Sequence, residues 1–265
     1  MVFPWVTRLQ TSLNVVQFCS IFFIFWVMHN TFPKFSDFPE ISMKFNLNFY
    51  MMPWHGSHSL RLNNHLFPWS LSEQEANILY DCIIKYNLKS GFEIATAFGI
   101  SSTFMGLALK ETSGKLVTMD AYIEEVYNGE SEMNDYDVND EKTFENADGY
   151  KMANKLIEYF KIKEFVNLKI GWSPTDTGRV IEEVHGSNKL DFAFIDGGHS
   201  AEQIQYDTEA IMEYLDEDCI LFYHDHFSLA GETIIYLNKN KFKFMENFRT
   251  KFNLCMYGRG KFLNS

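Results

Sequence analysis

The stretch Phe92–Ser102, FEIATAFGISS, decides the fold. Phe92–Ala95 reads as a short buried strand, Gly99 as a turn residue and Ser101 as the opening of a helix. A turn of this kind lets backbone come close to a ligand and aims the N–H groups of a helix start at it. Ala95 and Ala97 occupy places where a dinucleotide-binding fingerprint would have glycine, so the turn by itself does not name its ligand.

The same strand–turn–helix unit recurs downstream. Strands are predicted over Phe92–Ala95, Leu116–Met119, Val166–Ile170, Phe192–Ile195 and Ile220–Tyr223. Helices are predicted between and after them over 101–110, 149–161, 176–185, 200–214 and 230–239. Repeated alternation predicts an α/β, Rossmann-like, doubly wound sheet with helices on both faces. Two further strands, Phe242–Phe248 and Phe252–Tyr257, follow closely enough to pair antiparallel, which completes a mostly parallel seven-stranded sheet. Upstream, residues 43–70 show no period and read as an irregular arm. Ser72 and Glu75 then supply a capping box for a helix reaching about Tyr86.

The composition agrees with one large domain. The chain has 265 residues, 46% of them hydrophobic and 22% charged, enough to build a core. Its net charge of −12 leaves no broad basic face for nucleic acid. The four cysteines (Cys19, Cys82, Cys219, Cys255) form no CxxC or CxxH pair, which argues against a structural zinc knuckle and fits a reducing, cytoplasmic compartment. Three segments result: a hydrophobic extension over 1–42, an arm and helix over 43–90, and the α/β domain over 91–265. The domain carries an insertion over 121–148 with ten acidic residues against Lys142, which reads as a solvated loop or as a lid. Residues 13–28 are uncharged and mostly apolar but shorter than the roughly 20 residues a membrane span needs. A membrane anchor, a helix docked on the domain and an artefact of start-site choice all fit them.

Ligands in an open parallel sheet bind beyond the carboxyl ends of its strands. The second strand ends VTMD, and Asp120 there can accept hydrogen bonds from both hydroxyls of a ribose or can cap its own loop. The fourth ends in FIDGGHS, placing Asp196 and His199 about a Gly-Gly turn. The fifth ends in FYHDHF, placing His224, Asp225 and His226 together. Those two strands are neighbours in a doubly wound sheet. Two carboxylates with histidines beside both have the composition of a divalent-metal site with a nearby base.

Taken in order, EIATAFGIS, VTMD, FIDGGHS and FYHD resemble class I S-adenosylmethionine-dependent methyltransferases, and most closely the methyltransferase-24 type domain. The resemblance covers about residues 72–226. It implies that Glu93, Ala95, Gly99 and Ser101 line the methionine part of S-adenosylmethionine, that Asp120 holds the ribose and that Ser173, in GWS, contacts adenine. By likeness to metal-dependent O-methyltransferases it implies Asp196, His224 and Asp225 as ligands to Mg²⁺ or Mn²⁺ and His199 as the base. His224 departs from the pattern, which has an oxygen ligand there. The implied reaction is methyl transfer to a small hydroxylated acceptor such as a sugar. A metal-dependent hydrolase would explain the histidines but leave Asp120 and the Glu93 turn without a role. A degenerate methyltransferase that only binds is the third reading. A nicotinamide-dependent enzyme lacks its G-x-G-x-x-G.

Overall fold

A computed structural model describes residues 48–51, 58–62, 65–122, 149–225, 229, 231–250 and 253–264, with backbone alone over 48–70. The hydrophobic stretch 13–28, nearly all of the acidic insertion and His226 lie outside the described residues. Among the described residues no helix is long and apolar enough to cross a membrane.

The chain begins with three antiparallel strands, β1 (Asn48–Met51), β2 (His58–Leu62) and β3 (His65–Ser70). They correct the expectation of an irregular arm: they pair as successive antiparallel neighbours, Met51 opposite His58 and Leu62 opposite His65, and the sequence there has too little alternation to show it. Helix α1 (Glu73–Lys85) follows. Both halves of its capping box are present, the Glu75 N–H donating to Ser72 Oγ (3.2 Å) and the Ser72 N–H to Glu75 Oε2 (2.8 Å).

The main sheet is then laid down with its helices. In chain order these are β4 (Ser90–Ile94), α2 (Ile100–Thr112), β5 (Lys115–Asp120), α3 (Gly149–Tyr159), β6 (Val166–Ile170), α4 (Thr177–His185), β7 (Leu190–Ile195), α5 (Ala201–Ile211), β8 (Leu215–Tyr223), α6 (Gly231–Lys239), β9 (Lys243–Asn247) and β10 (Cys255–Gly258). The strand order is β6-β5-β4-β7-β8-β10-β9. The first five are parallel, and β10 runs antiparallel to both β8 and β9.

Strand alternation splits the core in two. Phe192, Phe194, Ile220 and Phe222 face one layer, where α1, α2 and α3 contribute Leu79, Phe104 and Leu156. Phe92, Ala193, Ile195, Leu221 and Tyr223 face the other, against Val180 of α4, Ile204 of α5 and Leu237 of α6. Full burial of each phenylalanine contributes about 1.5–3 kcal/mol relative to exposure. The chain travels outward from β4 to β5 and β6, then returns to the other side of β4 for β7 and β8. The crevice of the fold therefore opens at the carboxyl ends of β4 and β7, where the Asp196 N–H donates to the Ile94 carbonyl (3.3 Å).

Candidate active site

The turn after β4 is built from left-handed residues. Ala95 (φ 73°), Ala97 (φ 45°) and Gly99 (φ 83°) alternate with ordinary ones. At Gly99 a Cβ would also lie 2.8 Å from that of Ala153, so only glycine fits. Ala95 thus has a glycine's conformation without being one, at a cost of roughly 1–2 kcal/mol. Ala95→Gly should raise stability in urea denaturation by about 0.5–1 kcal/mol, the strain relief less the entropy that glycine adds to the unfolded chain. An unchanged or lower midpoint would show that Ala95 carries no strain.

Asp120 closes β5 and organises this turn. Its Oδ2 accepts the Ala97 N–H (2.8 Å) and its Oδ1 accepts the Tyr122 N–H (3.0 Å), while Tyr122 Oη donates to the Ala97 carbonyl (3.1 Å). Burial raises its pKa above the ordinary aspartate value, against the pull of those N–H groups. Each oxygen keeps a lone pair beyond these bonds, so loop capping and ribose binding are compatible.

Glu93 lies deeper than the resemblance implies. It is fully buried on the α2 side, where the hydroxyls of Ser101 and Ser102 donate to its two oxygens. Burial pushes its carboxyl up to about 7 in spite of those hydroxyls. Its two oxygens lie beneath the turn, where they fix the start of α2. The Ser101 hydroxyl proton is committed to it.

On the other side of Asp120, the Gly171 N–H donates to the Asp120 carbonyl (3.0 Å) and brings the 171–176 loop alongside. Ser173 is half-buried there, its hydroxyl donating to Asp207 Oδ1 (2.5 Å). Asp207, on α5, also accepts from Gln203 Nε2 (2.8 Å) and is only 1% exposed. Burial raises its pKa against both donors.

Across the crevice, Asp196 follows β7, while His224 and Asp225 follow β8. Asp225 takes a left-handed conformation (φ 50°) that turns the chain sharply off the strand. Asp196, His199 and Asp225 each place one ligand atom so that all lie within 4.8 Å of one another. His199 Nε2 stands 3.4 Å from Asp225 Oδ2, with its side chain 64% exposed. Two carboxylates and an imidazole at this separation fit a small divalent cation such as Mg²⁺ or Mn²⁺.

His224, expected as a ligand, has another place. Its Nδ1 lies 2.9 Å from Asp196 Oδ1 and 3.5 Å from Asp225 Oδ2, and its Nε2 lies 3.6 Å from Glu75 Oε2. Burial alone would lower its pKa, but the charge of Asp196 and the hydrogen bonds of Asp196, Asp225 and Glu75 raise it well above 6.5. Burial alone would likewise raise Glu75, but His224, with Thr250 and Ser72, holds its carboxyl at about 2. Both ring nitrogens face carboxylate oxygens, and the ligand atoms that converge are those of Asp196, His199 and Asp225. His224 is therefore the counter-charge beneath the carboxylates, joined through Glu75 to α1.

Two residues of this arrangement escape a sequence reading. Glu75 looks like half of a capping box, which it also is. Asp207 looks like an ordinary helix acid, and only its burial between two loops distinguishes it.

The profile of a methyltransferase domain family, the methyltransferase-24 type, matches residues 92–226. No curated protein matches the sequence. Among solved structures, the chain is similar to the O-methyltransferase from Bacillus cereus in complex with SAH, with a TM-score of 0.50 and 13% identity over 73% of this chain and 84% of that one. It is also similar to cofactor-bound Rv0187 from MTB, with a TM-score of 0.50 and 11% identity over 72% and 82% of the two chains. At such identities the likeness shows the fold. The family match extends over more than half of the sequence, through the turn at Ala95–Gly99, Asp120 and both carboxylate-bearing strand ends, so the chain belongs to the class I S-adenosylmethionine-dependent methyltransferases of the methyltransferase-24 type.

Proposed function

We propose that this methyltransferase modifies a hydroxyl of a small acceptor such as a sugar, with Asp196 and Asp225 holding a divalent ion and His199 acting as base. The observation that carries the reading is the convergence of Asp196, His199 and Asp225 across the crevice from the Ala95–Gly99 turn. A metal-dependent hydrolase would use the same three residues but would have no need of that turn or of Asp120.

When bound, S-adenosylmethionine supplies the electrophilic methyl group and a divalent ion lowers the pKa of the acceptor hydroxyl. The chain does the rest. Asp120 orients the ribose hydroxyls, and Ser173 meets the adenine. Ala95 and Ala97 keep the turn folded back so that backbone can approach the methionine part. Opposite them the acceptor oxygen is directed by Asp196 and Asp225, and His199 takes its proton as the oxygen bonds to carbon and the carbon–sulfur bond breaks. The exposed His199 ring then returns the proton to water. Alignment of oxygen, carbon and sulfur supplies much of the remaining acceleration.

Calorimetric titration of the full chain with S-adenosylmethionine, S-adenosylhomocysteine and NAD tests the cofactor. The first two should bind and NAD should not. Asp120→Ala should weaken S-adenosylhomocysteine binding at least tenfold, because two charge-assisted bonds of about 1.5–3 kcal/mol each are lost. An unchanged Kd would remove Asp120 from the site. Transfer of label from S-adenosylmethionine to a panel of sugars and phenols tests the reaction. Chelation should abolish that transfer while sparing cofactor binding, and Mg²⁺ or Mn²⁺ should restore it. Full turnover after exhaustive chelation, with no metal by elemental analysis, would leave the carboxylates as a polar scaffold.

A further inference from the structure

We propose that Asp207 fixes the hydrogen-bonding polarity of Ser173 and thereby makes the site select a 6-amino over a 6-keto purine. The inference rests on the reading of Ser173 as the adenine contact given above, and goes beyond it by assigning a specificity role to a buried residue of α5.

A serine hydroxyl has one proton to donate and two lone pairs to accept with. In Ser173 the proton is directed at Asp207 Oδ1 (2.5 Å), and one lone pair faces the Thr177 hydroxyl, which donates at 3.4 Å. What remains is a single acceptor site. Asp207 cannot reverse this arrangement easily. Gln203 Nε2 also donates to Oδ1 (2.8 Å), so two donors converge on that oxygen and keep it an acceptor in either protonation state. The carboxylate itself is 1% exposed and wedged under the Gly-Gly turn: its Oδ2 lies 2.8 Å from where a Cβ on Gly197 would stand. Buried there with both donors on one oxygen, it keeps the Ser173 proton on its own side.

The half-buried Ser173 thus presents only a lone pair to a ligand. The exocyclic amine of adenine is a donor and satisfies it. The 6-oxygen of hypoxanthine is an acceptor and meets it lone pair to lone pair, leaving both without partners. A site built on one buried hydrogen bond discriminates sharply against the analogue that lacks it.

Calorimetric titration of the full chain with S-adenosylhomocysteine and with its 6-keto analogue, S-inosylhomocysteine, tests the proposal. The wild type should prefer the amine by about thirtyfold or more. Ser173→Ala should cut that preference at least fivefold. Asp207→Ala should do the same, because the acceptor of the Ser173 proton is gone and the hydroxyl is free to turn that proton toward a keto oxygen. A protein that only needed Asp207 for stability would lose affinity for both ligands equally and keep the ratio. Equal wild-type binding of the two ligands, or a ratio unchanged in both variants, would overturn the proposal while leaving the cofactor reading intact. Failure of S-adenosylhomocysteine to bind at all would overturn the cofactor reading and this inference with it. Should Asp207→Ala not fold, the Ser173→Ala ratio decides.

Discussion

His224→Leu should destabilise the folded chain by about 3–5 kcal/mol at neutral pH, read as a drop in the urea midpoint at unchanged slope. Leucine roughly fills the space of the ring but removes the positive charge that His224 places among Glu75, Asp196 and Asp225. Glu75 is the costly member of that set, because it is fully buried. Its pH dependence distinguishes a lost charge from a lost shape. In the wild type Glu75 is held at about 2, so it favours the folded state above pH 4.5, and that contribution fades as pH falls toward 2. Without His224 burial dominates, and the Glu75 pKa should rise above its unfolded value. The folded variant then takes up a proton more readily than the unfolded chain, and its stability rises as pH falls. From pH 7 to about pH 6 the wild type gains as well, because the raised His224 pKa favours the folded state as the unfolded imidazole charges; below about pH 6 the gap should narrow as the pH falls toward 5. A deficit below 1 kcal/mol, or one constant over that range, would mean that His224 is merely packed there.

The way in which His224 departs from expectation shows what the sequence makes legible. The alternation of strands with helices is a local pattern, so the five parallel strands and the antiparallel pair at the edge can be read from it directly. So can the strand-end positions of Asp120, Asp196 and Asp225. Adjacency in FYHDHF suggests that His224 and Asp225 act together, but a strand alternates its faces. His224 continues the parity of Phe222, which points to the α1 side, and its ring packs edge-on against Phe194 (centroids 6.2 Å apart). That parity was a usable signal. The same rule places Glu93 under α2, because Phe92 beside it belongs to the other face. The partners waiting there were not legible, since Glu75 meets His224 only once α1 has docked, and Asp207 meets Ser173 across 34 positions.

The glycine-poor turn teaches the complementary lesson. Its composition argues against a tight phosphate- or cofactor-type loop, yet its backbone has left-handed residues at 95, 97 and 99. Conformation is kept by the surroundings when composition no longer favours it. The Asp120 carboxylate and the Tyr122 hydroxyl bind the Ala97 N–H and carbonyl respectively, holding that residue where only glycine is comfortable. A sequence reading that counts glycines sees the missing Cβ-free positions but not the hydrogen bonds that compensate.

On the proposed reaction, His199→Ala should lower kcat for methyl transfer by about 10²–10⁴ and leave the Kd of S-adenosylhomocysteine within about threefold, the signature of a group that acts on the proton in the transition state. The geometry separates this role from that of the other histidine. His224 is enclosed by carboxylates and holds its protons, whereas His199 stands on the Gly-Gly turn, 64% exposed, with Nε2 3.4 Å from Asp225 Oδ2. It can therefore face an acceptor directed by the same carboxylates and still exchange its proton with water. A base must be neutral to work, so kcat should rise with pH on a single ionisation and then level off. His199→Gln keeps the length and part of the hydrogen bonding but has no basicity, so it should be nearly as slow as alanine and should lose that rising limb. Because His199 is also one of the three groups that fit a cation, Mn²⁺ binding measured by calorimetry belongs beside the kinetics. A variant that binds Mn²⁺ normally yet transfers no methyl has lost its base, whereas one rescued by excess Mn²⁺ has lost a ligand. If the glutamine variant keeps the wild-type kcat and pH profile, His199 takes no proton, and His226 becomes the first place to look for the base.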